Sequence, residues 1–177
     1  MPVLPPFHLQ TWIDEHRHLL RPPVGNAMVW GDDEFQVMVV GGPNRRNDFH
    51  VDPAEEFFYQ VEGDMTLRVM EDGRPRDIPI RAGEMFLLPA DIPHSPQRPA
   101  GTVGLVIERR RRPDEIDHLR WYCEKCYAVL HDAAFICEDL ATQLKPIIEA
   151  FYADRALRTC RACGTVLEPP PPPAPSA

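Results

Sequence analysis

Apolar residues recur with two different periods along the 177-residue chain. Over 8–20, Leu9, Trp12, Ile13, His16, Leu19 and Leu20 keep a helical period, and Arg21-Pro22-Pro23 supplies a stop, so the pattern predicts one short amphipathic helix. From Ala27 the period falls to two. Short β-rich runs at 35–40, 57–61, 65–70, 76–80, 85–88 and 103–107 are separated by Gly41-Gly42-Pro43, Glu62-Gly63-Asp64, Asp72-Gly73, Ala82-Gly83 and Pro99-Ala100-Gly101. Asp72-Gly73, set between two such runs, predicts a tight hairpin. Many short strands at regular spacing, with no helices between them, predict an all-β antiparallel barrel or jelly roll.

After Pro113 the pattern changes. Residues 114–120 read as a turn of helix, and 138–153 carry Leu140, Leu144, Ile147, Ile148 and Phe151 at helical spacing, with Pro146 expected to kink or divide that helix. The expected organisation is a barrel with its N-terminal helix over 1–113 and a small helical, four-cysteine metal segment over 114–166. A Pro-rich tail over 167–177 can form only polyproline II or disordered linker.

Composition narrows the function classes. A formal charge of -8 and a pI near 5.3 argue against nucleic acid as partner, because such binding depends on Lys and Arg neutralising phosphates. The run Arg109-Arg110-Arg111-Arg112 reads as a solvated edge or a set of local ion pairs. The first residues lack a basic start and an apolar core, and no apolar stretch approaches the ~20 residues of a membrane helix, so the expectation is a soluble cytoplasmic protein. Cys123-x2-Cys126 and Cys160-x2-Cys163 together supply four thiolates suited to structural Zn2+ or a rubredoxin-like Fe. Cys137 is spare and reads as a small buried apolar residue. His16 and His18, one residue apart on the first helix, point to different faces and read as surface groups.

Three further side chains fall where strands meet turns. Glu56 heads the run Phe57-Phe58-Tyr59, where an ionised carboxylate is expensive to bury unless a cation accompanies it. Its neighbour Glu55 points to the opposite face. His94 is presented rigidly after Pro89 and Pro93, and His50 lies beside the Gly-Pro turn. Two imidazoles and one carboxylate make the facial set of non-heme Fe(II) oxygenases, although Zn2+, Mn2+ or Ni2+ also suit it. Arg46 lies four residues before His50 and Arg98 four after His94. Glu108 ends a strand that should line the same barrel. An arginine fork suits a carboxylate, and a strand-end carboxylate suits proton transfer.

His50-x5-Glu56-x6-Gly63 and Gly83-x5-Pro89-x4-His94 resemble the two signature motifs of the cupin superfamily, with Asp52 where many cupins carry a second histidine and Asp91 where they often carry glycine. That resemblance selects the jelly roll and three ligands in place of four. Pro43-Asn44-x-Arg46, Glu55-Glu56-Phe57-Phe58-Tyr59-Gln60, His94-Ser95-Pro96-Gln97-Arg98 and Val106-Ile107-Glu108-Arg109, followed by Trp121-Tyr122-Cys123, resemble the bacterial 3-hydroxyanthranilate 3,4-dioxygenase family from about residue 12 to 164. It implies catalytic Fe2+ on His50, Glu56 and His94, a second Fe or Zn on the four cysteines, and a homodimer. It further implies that Arg46 and Arg98 hold the carboxylate of 3-hydroxyanthranilate, with Glu56 and Glu108 also at the substrate and Glu108 as proton acceptor. O2 is the co-substrate. The implied product is 2-amino-3-carboxymuconate 6-semialdehyde, a quinolinate precursor, which leaves tryptophan catabolism, NAD synthesis and nitroaromatic degradation open as pathways. Two rivals remain: a non-redox metal-dependent cupin, either an isomerase or a small-acid binding protein, and a regulator using the cysteines as a zinc ribbon.

Overall fold

The computed structural model describes residues 5–21, 25–31, 34–138 and 140–171; the stop at Pro22-Pro23 and positions 172–177 of the tail lie outside the described residues. Helix α1 (Leu9–His16) is followed by strands β1 (Asn26–Trp30), β2 (Phe35–Gly41), β3 (Asp48–Val51), β4 (Glu56–Glu62), β5 (Met65–Glu71), β6 (Arg74–Ile80), β7 (Met85–Leu88), β8 (His94–Gln97), β9 (Val103–Arg109), β10 (Asp117–Tyr122) and β11 (Val129–Phe135). Helices α2 (Leu140–Ala153) and α3 (Arg155–Arg158) close the chain. The strands form two antiparallel sheets, ordered β1-β2-β9-β4-β7 and β11-β10-β3-β8-β5-β6. This is the expected all-β jelly roll, with an N-terminal helix and a C-terminal helical, four-cysteine part.

The alternation read from the sequence explains how the sheets stack. Met65, Leu67 and Val69 of β5 turn inward to meet Met38, Phe58, Leu88 and Val106 of the other sheet, leaving Thr66 and Arg68 outside. Helix α1 lays Ile13 on the outer face of the five-stranded sheet against Ala27, Val39 and Val103. The hairpin at Asp72-Gly73 forms as read: both residues have positive φ (50° and 73°), which a two-residue turn of this twist requires. Asp91 also has a positive φ, 62°, which accounts for the glycine that many cupins carry there.

One local expectation fails, and one alternative of another is excluded. Residues 117–122 form β10 and not a turn of helix, because Asp117, Leu119 and Trp121 alternate inward along a strand that pairs with β3. Helix α2 is not divided at Pro146, which stands on its exposed side. Its apolar face, with Leu144, Ile147, Ile148 and Phe151, packs on Leu119 and Trp121 of β10. The Trp121 and Phe151 rings stack at 4.2 Å. Leu167 is buried in the same cluster. No helix among the described residues is long and apolar enough to cross a membrane.

Candidate active site

Pairing register brings the three candidate ligands to one end of the barrel. His50 and His94 are direct partners across β3 and β8. Glu56 begins β4 and is opposed by Glu108 of β9. All four side chains are buried, whereas Glu55 faces solvent.

His94 Nε2 and Glu56 Oε2 lie 2.9 Å apart, yet that carboxylate oxygen makes no aligned hydrogen bond. Two ligand atoms at right angles on an ion with bonds of ~2.1 Å stand about 3 Å apart. The donor pair therefore has the spacing and the misalignment of atoms that share a cation. His94 Nδ1 faces the Ile92 carbonyl at 3.0 Å and can only donate there, which in the neutral ring that binds a cation leaves Nε2 with the lone pair. Burial opposes the Glu56 charge, but His94 and then His50 overcome it and hold the carboxyl below its ordinary range. Against burial, Glu56 likewise lifts His94 above its ordinary value.

His50 is arranged differently. Its Nε2 meets Asp117 Oδ2 at 2.7 Å, leaving Nδ1 as the free nitrogen, and its ring centroid is 5.3 Å from that of His94. Burial lowers its pKa in spite of Asp117. Among the described residues, the four cysteines are the set of three or more ligating side chains whose donor atoms all lie within 4.8 Å of one another. His50, Glu56 and His94 do not form such a set; the His50 ring is oriented by its Nε2 contact to Asp117.

Arg98 is a buried cation whose Nε has no partner and whose Nη1 donates to the neutral Gln60 Oε1 at 3.1 Å. Burial pulls its pKa down to about 10, although Glu56 opposes the shift. A side chain at Gly104 would collide with this pair, since an added Cβ would stand 2.8 Å from Arg98 Nη1. Glu108 is pushed up to about 7 by burial and by Glu56, with Arg111 working against both. Arg46 is paired with Asp48 and lies within electrostatic reach of Glu56, and against burial both carboxylates hold its guanidinium charged. It also borders a groove of about 500 Å³, beside Phe49, Arg68 and Tyr122.

Sequence reasoning passed over Gln60, Asp117 and Arg111. Gln60 had a signal: it shares the parity of Glu56 and Phe58 in a run that is otherwise apolar, so its amide had to face inward.

The four cysteines come together as predicted, with Cys123 Sγ 3.5 Å from Cys163 Sγ and Cys126 Sγ 3.5 Å from Cys160 Sγ. Tetrahedral thiolates on bonds of ~2.3 Å stand about 3.8 Å apart. The two knuckles repeat one backbone pattern: the N–H of Tyr127 donates to Cys123 O, and that of Gly164 to Cys160 O. Tyr127 and Gly164 both have positive φ. Thr165 lowers the Cys163 thiol to about 6, which favours the thiolate that a metal takes. Cys137, expected to be buried, is half-buried, and its thiol is raised to about 12 by burial. Cys123→Ser is expected to remove one metal per chain and cost several kcal/mol of stability, a share of the ~10–16 kcal/mol that structural four-ligand sites supply. Metal analysis with thermal unfolding checks this; loss of both metals would contradict separate sites.

Two antiparallel sheets enclosing buried imidazoles and carboxylates give the class of fold, a jelly-roll barrel with a polar interior site. A family model described as 3-hydroxyanthranilic acid dioxygenase matches residues 1–152. A 3-hydroxyanthranilate 3,4-dioxygenase of Xanthomonas campestris pv. campestris is 54% identical over 164 residues, covering 93% of each chain. One from Neurospora crassa is 51% identical over 168 residues, covering 95% of this chain and 93% of its own. Among solved structures, a cupin-2 domain containing protein from Shewanella frigidimarina is 19% identical with a TM-score of 0.46, covering 58% of this chain and 100% of its own. The chain belongs to the 3-hydroxyanthranilic acid dioxygenase family.

Proposed function

We propose that the chain is a ring-cleaving dioxygenase that converts 3-hydroxyanthranilate and O2 to 2-amino-3-carboxymuconate 6-semialdehyde, with Fe2+ held by His50, Glu56 and His94. The observation that carries this reading is the 2.9 Å approach of Glu56 Oε2 and His94 Nε2 without hydrogen-bond alignment, close to an arginine that lacks a counter-charge. When bound, Fe2+ supplies open positions for the adjacent hydroxyl and amine of the substrate and for O2, and the means to pass electron density between them.

The protein's own groups account for binding and proton transfer. Arg98 takes the substrate carboxylate, replacing its lone Gln60 contact with a charge-assisted pair. Glu108 receives the hydroxyl proton. Burial of the site keeps water from competing for those groups. Arg46, oriented by Asp48 and within electrostatic reach of Glu56, supplies a second cation for the substrate carboxylate. The four-cysteine site holds Zn2+ or Fe and closes the C-terminal part on β10. The apolar outer face of the five-stranded sheet, with Trp30, Phe35, Met85 and Leu87 exposed, suits the contact of a homodimer. A cytoplasmic role in forming a quinolinate precursor, for NAD synthesis or tryptophan breakdown, fits that product.

Arg98→Ala is expected to raise KM for 3-hydroxyanthranilate roughly 10- to 150-fold, the equivalent of about 1.5–3 kcal/mol for one charged hydrogen-bonding partner. Initial rates against substrate concentration measure it, and an unchanged KM takes Arg98 out of the site. A non-redox cupin, the competing reading, would leave dissolved O2 untouched when substrate is added.

A further inference from the structure

The run of four arginines that follows Glu108 does not lie wholly in solvent. The Arg111 side chain is only 5% exposed, while Arg110 and Arg112 face outward. One guanidinium meets three buried carboxylates: Nη2 lies 2.7 Å from Asp52 Oδ2, 2.9 Å from Asp117 Oδ2 and 3.4 Å from Glu108 Oε2. Its Nε adds a second bond to Asp117, at 2.9 Å from Oδ1, and its Nη1 donates to the Arg109 carbonyl at 3.2 Å. Asp117 is therefore gripped by a planar fork, which fixes the carboxylate's rotation as well as its position. The Asp117 oxygen that accepts from Arg111 Nη2 also accepts from His50 Nε2, at 2.7 Å.

We propose that Arg111 is the positioning residue of this site. Through Asp117 it sets which nitrogen of His50 is free to bind an ion, and through Glu108 it sets the carboxylate that receives the substrate proton. A carboxylate that orients a ligating imidazole tunes both metal affinity and ligand direction, and Arg111 stands one step behind that carboxylate. A lysine in its place would bring the charge without the fork.

The assignment rests on His50, Glu56 and His94 being the metal ligands, so its first readout is Fe2+ binding and not turnover. Anaerobic Fe2+ titration against a chromophoric chelator, with total metal analysis to count the four-cysteine site, compares wild type with Arg111→Lys and Arg111→Met. Both variants are expected to bind Fe2+ at the catalytic site roughly 10- to 100-fold more weakly while keeping the four-cysteine metal. At saturating Fe2+, kcat should fall about tenfold or more while KM for 3-hydroxyanthranilate stays within about threefold. Should Arg111→Met fail to fold, Asp117→Asn cuts the same relay with a side chain of the same shape and must show the same loss. Wild-type Fe2+ affinity in any folded member of this set overturns the assignment. If wild type binds Fe2+ but consumes no O2 with substrate, the catalytic reading falls while the affinity comparison still decides the role of Arg111.

Discussion

His94→Ala protein, reconstituted anaerobically with Fe2+, is expected to keep its four-cysteine metal, lose its catalytic iron, and lose at least about 10³-fold in O2 uptake. His94 contributes the nitrogen that faces Glu56 Oε2 at 2.9 Å, and its ring is held by the Ile92 carbonyl and by the edge contact with Phe58. Without it, His50 and Glu56 alone cannot define one face of an octahedron, and a buried carboxylate loses its partner. Such a loss destabilises a fold by roughly 3–5 kcal/mol, so the neutral Glu56→Gln serves as the second variant and is expected to lose iron with a smaller drop in unfolding temperature. Two metal ions per chain in folded His94→Ala would show that the iron sits elsewhere.

Glu108→Gln is expected to lower kcat by roughly 10²–10⁴-fold while leaving iron content intact, the range associated with removing a positioned general base. The raised pKa of Glu108 supplies a second mark. Below its value of about 7 the carboxyl is protonated and cannot accept a proton; above it the carboxylate can. The wild-type kcat/KM should therefore climb with pH to a plateau above about 7, and the climb should disappear from the residual activity of the variant. Linkage has the opposite slope: because burial raises this pKa, the group's contribution to stability is complete at acid pH and is lost as pH rises through about 7. Activity and stability should thus part company across the same pH window. A flat pH profile in wild type, or a Gln variant with normal kcat, would remove Glu108 from the proton path.

The parts that were legible in the sequence are those where side-chain chemistry and backbone geometry agree. Asp72-Gly73 specified its turn, the two Cys-x2-Cys pairs specified their knuckles, and Glu56 at the head of an aromatic strand declared that a buried charge needed company. What stayed hidden lies where polar residues occupy inward positions. Strand β3 carries Asp48 and His50 inward, and β10 begins on the buried Asp117, so short alternating segments with polar residues on the buried parity escape the apolar rule by which strands are recognised. Arg111 was concealed by its neighbours, because a run of like charges gives no sign of which member turns inward. Arg46 illustrates a readable case: its spacing from His50 pointed toward the site, and it pairs with Asp48 within electrostatic reach of Glu56. These hidden residues form the shell around the ligands, which the strand pattern cannot reveal, since burying polar groups against one another departs from the rule by which the core is read.

Ring cleavage is read out by loading the full chain with Fe2+ without oxygen, then following dissolved O2 and absorbance on adding 3-hydroxyanthranilate. One O2 is expected to be consumed per substrate, together with the new absorbance of the semialdehyde product. Iron-loaded protein that binds the aminophenol yet leaves O2 and the spectrum unchanged would contradict ring cleavage.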